Sequence, residues 1–212
     1  MTATNSRYVC DVVGPPTFPG VVRPPNLEAY PAARRRVQVL FVGWNPPRPF
    51  AGFWSIADPD NLRTELHRIL RDIGRVRAPQ PDGQFLDDFL DAGYYFVHAV
   101  KCWCAAKYPG FGRGAKRRER HEIGEPLLRV CAAAHLRDEL QSLNPANVCA
   151  LGELAYCGLR VLDEDLDRSL RPSEGAVCNL GARPVLYTCF PSGNPVRGPE
   201  PVNKNETARS RV

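Results

Sequence analysis

Apolar positions along the chain alternate between short runs rich in β-branched residues and longer stretches with helical spacing. Val37-Gln-Val-Leu-Phe-Val42 is nearly all apolar and stops at Gly43, which reads as a buried strand. Asn61 to Ile73 carries Leu62, Leu66, Ile69, Leu70 and Ile73 at helical spacing, with Asp58 or Asp60 placed to cap its start. Gln84 to Ala92 predicts a shorter helix ending at Gly93, and Tyr94 to Val100 a second strand. Pro126 to Leu143 predicts a long amphipathic helix stopped by Asn144-Pro145. A third strand follows at Asn147–Leu151, then a helix from Glu153 to about Leu162 and a fourth strand at Val185–Cys189.

Apolar strands alternating with helices predict an α/β fold, a three-layer α/β/α sandwich around a mostly parallel, four-stranded central sheet. Ligands in such sheets sit at the carboxyl ends of the strands. Residues 1–36 carry six prolines (Pro15, Pro16, Pro19, Pro24, Pro25, Pro31) and end in Arg34-Arg35-Arg36. They read as an extended arm on a domain spanning 37–198, and 199–212 as a polar tail.

At 212 residues the chain has the length of one domain, and 43% hydrophobic against 24% charged residues excludes wholesale disorder. No apolar run approaches the roughly 18 residues of a membrane helix, and the start lacks the pattern of a secretory signal. Eight unevenly spaced cysteines then read as reduced thiols, so a cytoplasmic, monomeric protein is expected. The formal charge of +5 matters through its location. Between Lys107 and His121 six basic residues face one acid, Glu119, with Gly110, Gly112 and Gly114 interleaved. A solvated charge run is the plainer reading; beside a site, such a loop suits a polyanion.

Two rigid loops follow strands. In Gly43-Trp44-Asn45-Pro46-Pro47 the glycine allows a sharp turn and the prolines stiffen it, so the Asn45 amide is held in one direction. A fixed amide holds a water or a substrate edge, or simply caps backbone groups. Phe190-Pro191-Ser192-Gly193-Asn194-Pro195-Val196-Arg197 offers a hydroxyl, a small apolar side chain and a guanidinium, or is another turn.

These loops, in this order and after these strands, resemble the motifs of the uracil-DNA glycosylase superfamily across about residues 37–198. Gly43–Pro47 is similar to the first motif of its mismatch-specific and single-strand-selective branches, whose Asn positions the attacking water. Arg48-Pro49-Phe50-Ala51-Gly52 resembles the segment whose aromatic ring stacks on the flipped base, with Phe53 or Trp54 as alternatives to Phe50. Tyr95 to Cys102 resembles the base-reading strand, Cys131 to Ala155 the helix–strand–Gly unit, and Phe190 to Arg197 the loop that enters the minor groove. Pro47 replaces the usual small residue, His98 stands where many relatives place an Asn, and Phe190 where many place a His.

The resemblance implies a monofunctional DNA glycosylase of base excision repair that hydrolyses the N-glycosidic bond of a deaminated or mismatched base, uracil first. Asn45 and His98 would be catalytic, and Gly43, Trp44, Phe50, Phe53 and Phe190 would surround the base. Lys101, Lys116, Arg117, Arg118, Ser192, Gly193, Asn194, Val196 and Arg197 would meet DNA. The alternative is an altered member that binds DNA or an abasic site without turnover. No cofactor or metal is expected; if the iron–sulfur cluster of some branches is present, Cys10, Cys102, Cys104 and Cys131 are its candidate ligands. His121, closing the basic loop, resembles the reactive His of a branch trapped on abasic sugar, but a phosphate-contacting loop is the reading preferred here.

Overall fold

The computed structural model describes residues 21–22, 30–46, 52–57, 60–77, 81–104, 128–166, 169–170 and 175–188. Its centre is a five-stranded mixed sheet built from β2 (Val39–Gly43), β3 (Tyr94–His98), β5 (Asn147–Leu151), β6 (Ala176–Leu180) and β7 (Arg183–Thr188). The strand order is β3-β2-β5-β7-β6. The first four are mutually parallel, and β6 pairs antiparallel with β7. Two short strands, β1 (Val21–Val22) and β4 (Trp103–Cys104), form a separate antiparallel ladder. The protein is therefore of the α/β class, and the expected strand count of four is corrected to five. The extra strand joins β7 through a two-residue turn at Gly181-Ala182, where Gly181 has φ +59°.

Side chains along β2, β3 and β5 alternate between two cores, and β7 turns Val185 and Tyr187 into the second of them. Phe41, Phe96, Cys149 and Leu151 pack with α1 (Asn61–Asp72) and α2 (Asp82–Asp91). Leu40, Val42, Tyr95, Val97, Val148, Ala150, Val185 and Tyr187 belong to a second cluster with Leu136, Leu140, Ala155 and Leu159. These come from a π-helical turn (Ala132–Leu136), from α3 (Arg137–Leu143) and from α4 (Glu153–Leu162). Strands β2, β3 and β5 are buried on both sides, which is why they read as continuous apolar runs, whereas β7 leaves Leu186 40% exposed on one face.

Local chemistry sets the helix ends. The Asp60 carboxylate accepts from the Arg63 N–H at 3.1 Å and caps α1. Asn144, in the left-handed region at φ 39°, closes α3 before Pro145. Among the described residues no helix is long and apolar enough to cross a membrane.

Candidate functional site

The chain leaves β2 toward β3 on one side and leaves β5 toward β7 on the other. Strands β2 and β5 thus flank a topological switch point, and open sheets bind ligands at the carboxyl ends of such strands. At this end Gly43 is the register partner of His98. Two further backbone bonds lace the exits of β2 and β3 together: Ala99 N–H to Gly43 O and Val100 N–H to Trp44 O, both 2.8 Å. Asn45 comes immediately after this lacing. It is half-buried, and its Nδ2 donates to Pro46 O at 3.0 Å.

The other strand exits converge on the same rim. Gly152, with φ 89°, makes the turn from β5 into α4, and its N–H donates to Thr188 O at the end of β7 at 2.8 Å. The positive φ is one that glycine adopts readily. The loop expected to follow β7, with Phe190, Ser192, Gly193, Asn194, Val196 and Arg197, lies outside the described residues. So do Phe50, the basic loop with Lys116, Arg117 and Arg118, and His121.

His98 is buried at the end of β3, edge-on to Phe96 with ring centroids 4.7 Å apart. Trp44 is half-buried against the second core. Phe53 is not a base-stacking ring. It is fully buried and stacks on Phe96 at 4.4 Å, also touching Trp54 and Phe89, so both its faces belong to the core. Trp54 is tied down too, its Nε1 donating to Phe96 O at 3.1 Å.

Arg63 explains why Phe53 turns inward. Its guanidinium is fully buried and donates to Phe53 O and Ser55 O at 2.9 Å each, while Nε and Nη2 reach Asp82 Oδ2 at 2.9 and 2.6 Å. One cation thereby pins the segment after the Asn45 loop to α1 and to the start of α2. The Arg63 end of this pair is buried while the Asp82 side chain is 38% exposed, so loss of the carboxylate would leave a buried cation with only backbone carbonyls to meet it.

Lys101 also departs from its expected role. Its side chain is 4% exposed rather than reaching toward DNA, and it pairs with Glu139 at 2.6 Å. Its backbone N–H donates to Cys131 Sγ at 3.2 Å. Of the four cysteines considered for a cluster, Cys102 and Cys131 are buried, and the side chains of Cys10 and Cys104 lie outside the described residues. An iron–sulfur cluster needs four ligands as a rule. Among the described residues no three His, Cys, Asp or Glu side chains are grouped to hold a metal.

An apolar cavity of about 540 Å³ lies on the α1 side of β5, β7 and β6, running along the sheet face from Asn147 to Leu151 and Thr188 at the strand ends. Leu66, Ile73, Cys149, Val177 and Leu186 are among its walls. Burial pushes the Cys149 thiol up to about 12, so it is un-ionised there and lacks the thiolate that nucleophilic chemistry requires.

Sequence reasoning missed Tyr30 and Glu139, which surround Lys101 at the end of β3. They stand 71 and 38 residues from it, and no local spacing links them. Compared with models of protein families and with curated proteins, the chain matches none.

Proposed function

We propose that this protein is a DNA glycosylase that hydrolyses the N-glycosidic bond of a deaminated or mismatched base, uracil first, on a three-layer α/β/α frame. The observation that carries the reading is Asn45, half-buried and set just past the backbone lacing of β2 and β3, at the sheet end where ligands gather. The motif resemblance across 37–198 supports it independently.

The chemistry follows from what the bond needs. The base must leave the duplex, be held against an aromatic face, and depart as an anion. Stacking on Phe50 would contribute about 1–3 kcal/mol per base. The transition state is oxocarbenium-like, by analogy with glycosides, so a strong nucleophile is unnecessary. Asn45 orients a water: one Nδ2 hydrogen is committed to Pro46 O, and the amide oxygen accepts one water hydrogen so that a lone pair of the water faces the anomeric carbon. As the C–N bond breaks and the C–O bond forms, the water's surplus proton passes to the departed base anion. The motif resemblance assigns the donor toward the departing base to His98, which lies beside Gly43 in the sheet register and is 2% exposed. Val196 or Asn194 would fill the gap left in the stack, with Ser192 and Arg197 on the flanking phosphates.

The test is incubation with duplexes and single strands carrying uracil, hypoxanthine or mismatched thymine, scored for abasic sites. Abasic product is expected. Asn45→Ala is expected to lower turnover on the order of 10²–10³-fold while leaving DNA affinity within about twofold, since it removes water positioning and no phosphate contact. No product from any substrate, together with salt-sensitive binding, would assign the chain to the non-catalytic alternative.

A further inference from the structure

We propose that Lys101 is a positioning residue for His98, acting through a buried clamp completed by Tyr30 and Glu139. The clamp's role in base release rests on the glycosylase reading above.

Strand β3 is an edge of the sheet, and Ala99 turns its N–H inward to Gly43 O. Alternation along a strand therefore directs the N–H and C=O of His98 outward, to the side where a sheet edge has no strand to meet them. Both are met. The His98 N–H donates to the Tyr30 hydroxyl at 3.4 Å, and Lys101 Nζ donates to His98 O at 2.7 Å. The same ammonium donates to Tyr30 Oη at 3.1 Å and to Glu139 Oε2 at 2.7 Å, and sits 4.9 Å from the Tyr30 ring centroid. Three separate parts of the chain thus meet on one backbone unit.

An ammonium is a costly way to fill a 4% exposed position, because its desolvation penalty is repaid only by close charge pairing and full hydrogen bonding. A methionine would fill similar volume without that penalty. What a hydrocarbon cannot do is donate to the His98 carbonyl. The clamp holds the two peptide planes that flank the His98 Cα, and so the direction of its Cα–Cβ bond, from which the ring reaches edge-on to Phe96 and next to Gly43. The π-helical turn at Ala132–Leu136 takes part as well. Its wider winding changes the rotational phase of the helix before Glu139, whose carboxylate is 19% exposed and aimed at Lys101.

The experiment compares wild type with Lys101→Met/Glu139→Leu, which removes both charges together, and with Tyr30→Phe, which keeps the ion pair. Two readouts are taken on each folded protein: the NMR signals of His98 (ring Cε1–H and backbone amide exchange) and steady-state uracil release over a range of substrate concentrations. The double variant is expected to move the His98 ring resonance and to lower kcat about 10–100-fold with KM within about twofold. Tyr30→Phe is expected to speed exchange of the His98 amide about tenfold. A folded double variant with unchanged His98 signals and unchanged kcat would overturn the proposal and leave Lys101 a core ion pair. Should the double variant not fold, unchanged amide exchange in Tyr30→Phe overturns it equally. A wild type that releases no base counts against the glycosylase reading alone, and the His98 resonances then decide the clamp.

Discussion

Gly43 has no room for a methyl group. A Cβ built there would lie 2.7 Å from Phe96 Cζ and 3.1 Å from Cε2, and Phe96 is fully buried and stacked on Phe53. The glycine at the end of β2 was legible in the sequence as a turn former; its tighter role, letting a ring from the neighbouring strand cross beside the Asn45 loop, was not. Gly43→Ala is expected to destabilise the fold by about 1–3 kcal/mol, read from the urea midpoint at unchanged m-value, because the methyl group must push the buried Phe96 ring out of its stack on Phe53. Residue identity also misled at Phe53 and Lys101. An aromatic near a motif and a lysine after a strand look equally suited to solvent or core. Their burial follows from partners far along the chain, Phe96 for one and Glu139 for the other.

The α1 helix shows how an element carries more than its apolar stripe. Its start at Asp60 and its buried Leu62, Leu66 and Leu70 follow the sequence pattern, whereas the burial of Arg63 does not. His67 stacks on Phe85 at 4.5 Å, and its Nε2 is buried with no hydrogen-bond partner among the described residues. Desolvation first, and the nearby Arg71 charge second, lower its pKa from 6.5. The unfolded chain therefore takes up a proton more readily than the folded one. The associated stability is fully present above about pH 6.5 and is lost as pH falls through the lowered folded value. His67→Phe keeps the stack and removes the titration. Thermal melts between pH 7.5 and 5 are expected to fall less steeply for this variant than for wild type. Strand β6, Ala176–Leu180, is apolar at four of five positions but went unforeseen; its burial alternates, and the Gly181-Ala182 turn into β7 was the local signal that could have found it.

At the scale of the molecule, the net charge of +5 equals that carried by residues 107–121 alone, so the charge within this stretch is the main electrostatic lever on a polyanion. Replacing Lys116, Arg117 and Arg118 by Ser is expected to reduce the salt slope of DNA binding by about 2–3, measured by anisotropy between 50 and 200 mM salt. An unchanged slope would remove this loop from the interface. The α/β class, three of the four parallel strands as apolar runs (β2, β3 and β5), the fourth, β7, at about Val185–Cys189, and the α1, α2 and α4 helices were legible from the chain, because buried strands and amphipathic helices write their burial as local periodicity; β1, β4, β6 and the π-helical turn were not. The sequence alone also determined which loop carries a rigid asparagine, since glycine and proline act on their immediate neighbours. Only the tertiary structure decided that Phe53 is core, that Arg63 ties down the loop after Asn45, and that Lys101 grips His98 rather than facing outward. Such assignments depend on pairings between residues tens of positions apart, and a contact whose energy is repaid only once the chain has closed on itself leaves no periodic trace along it.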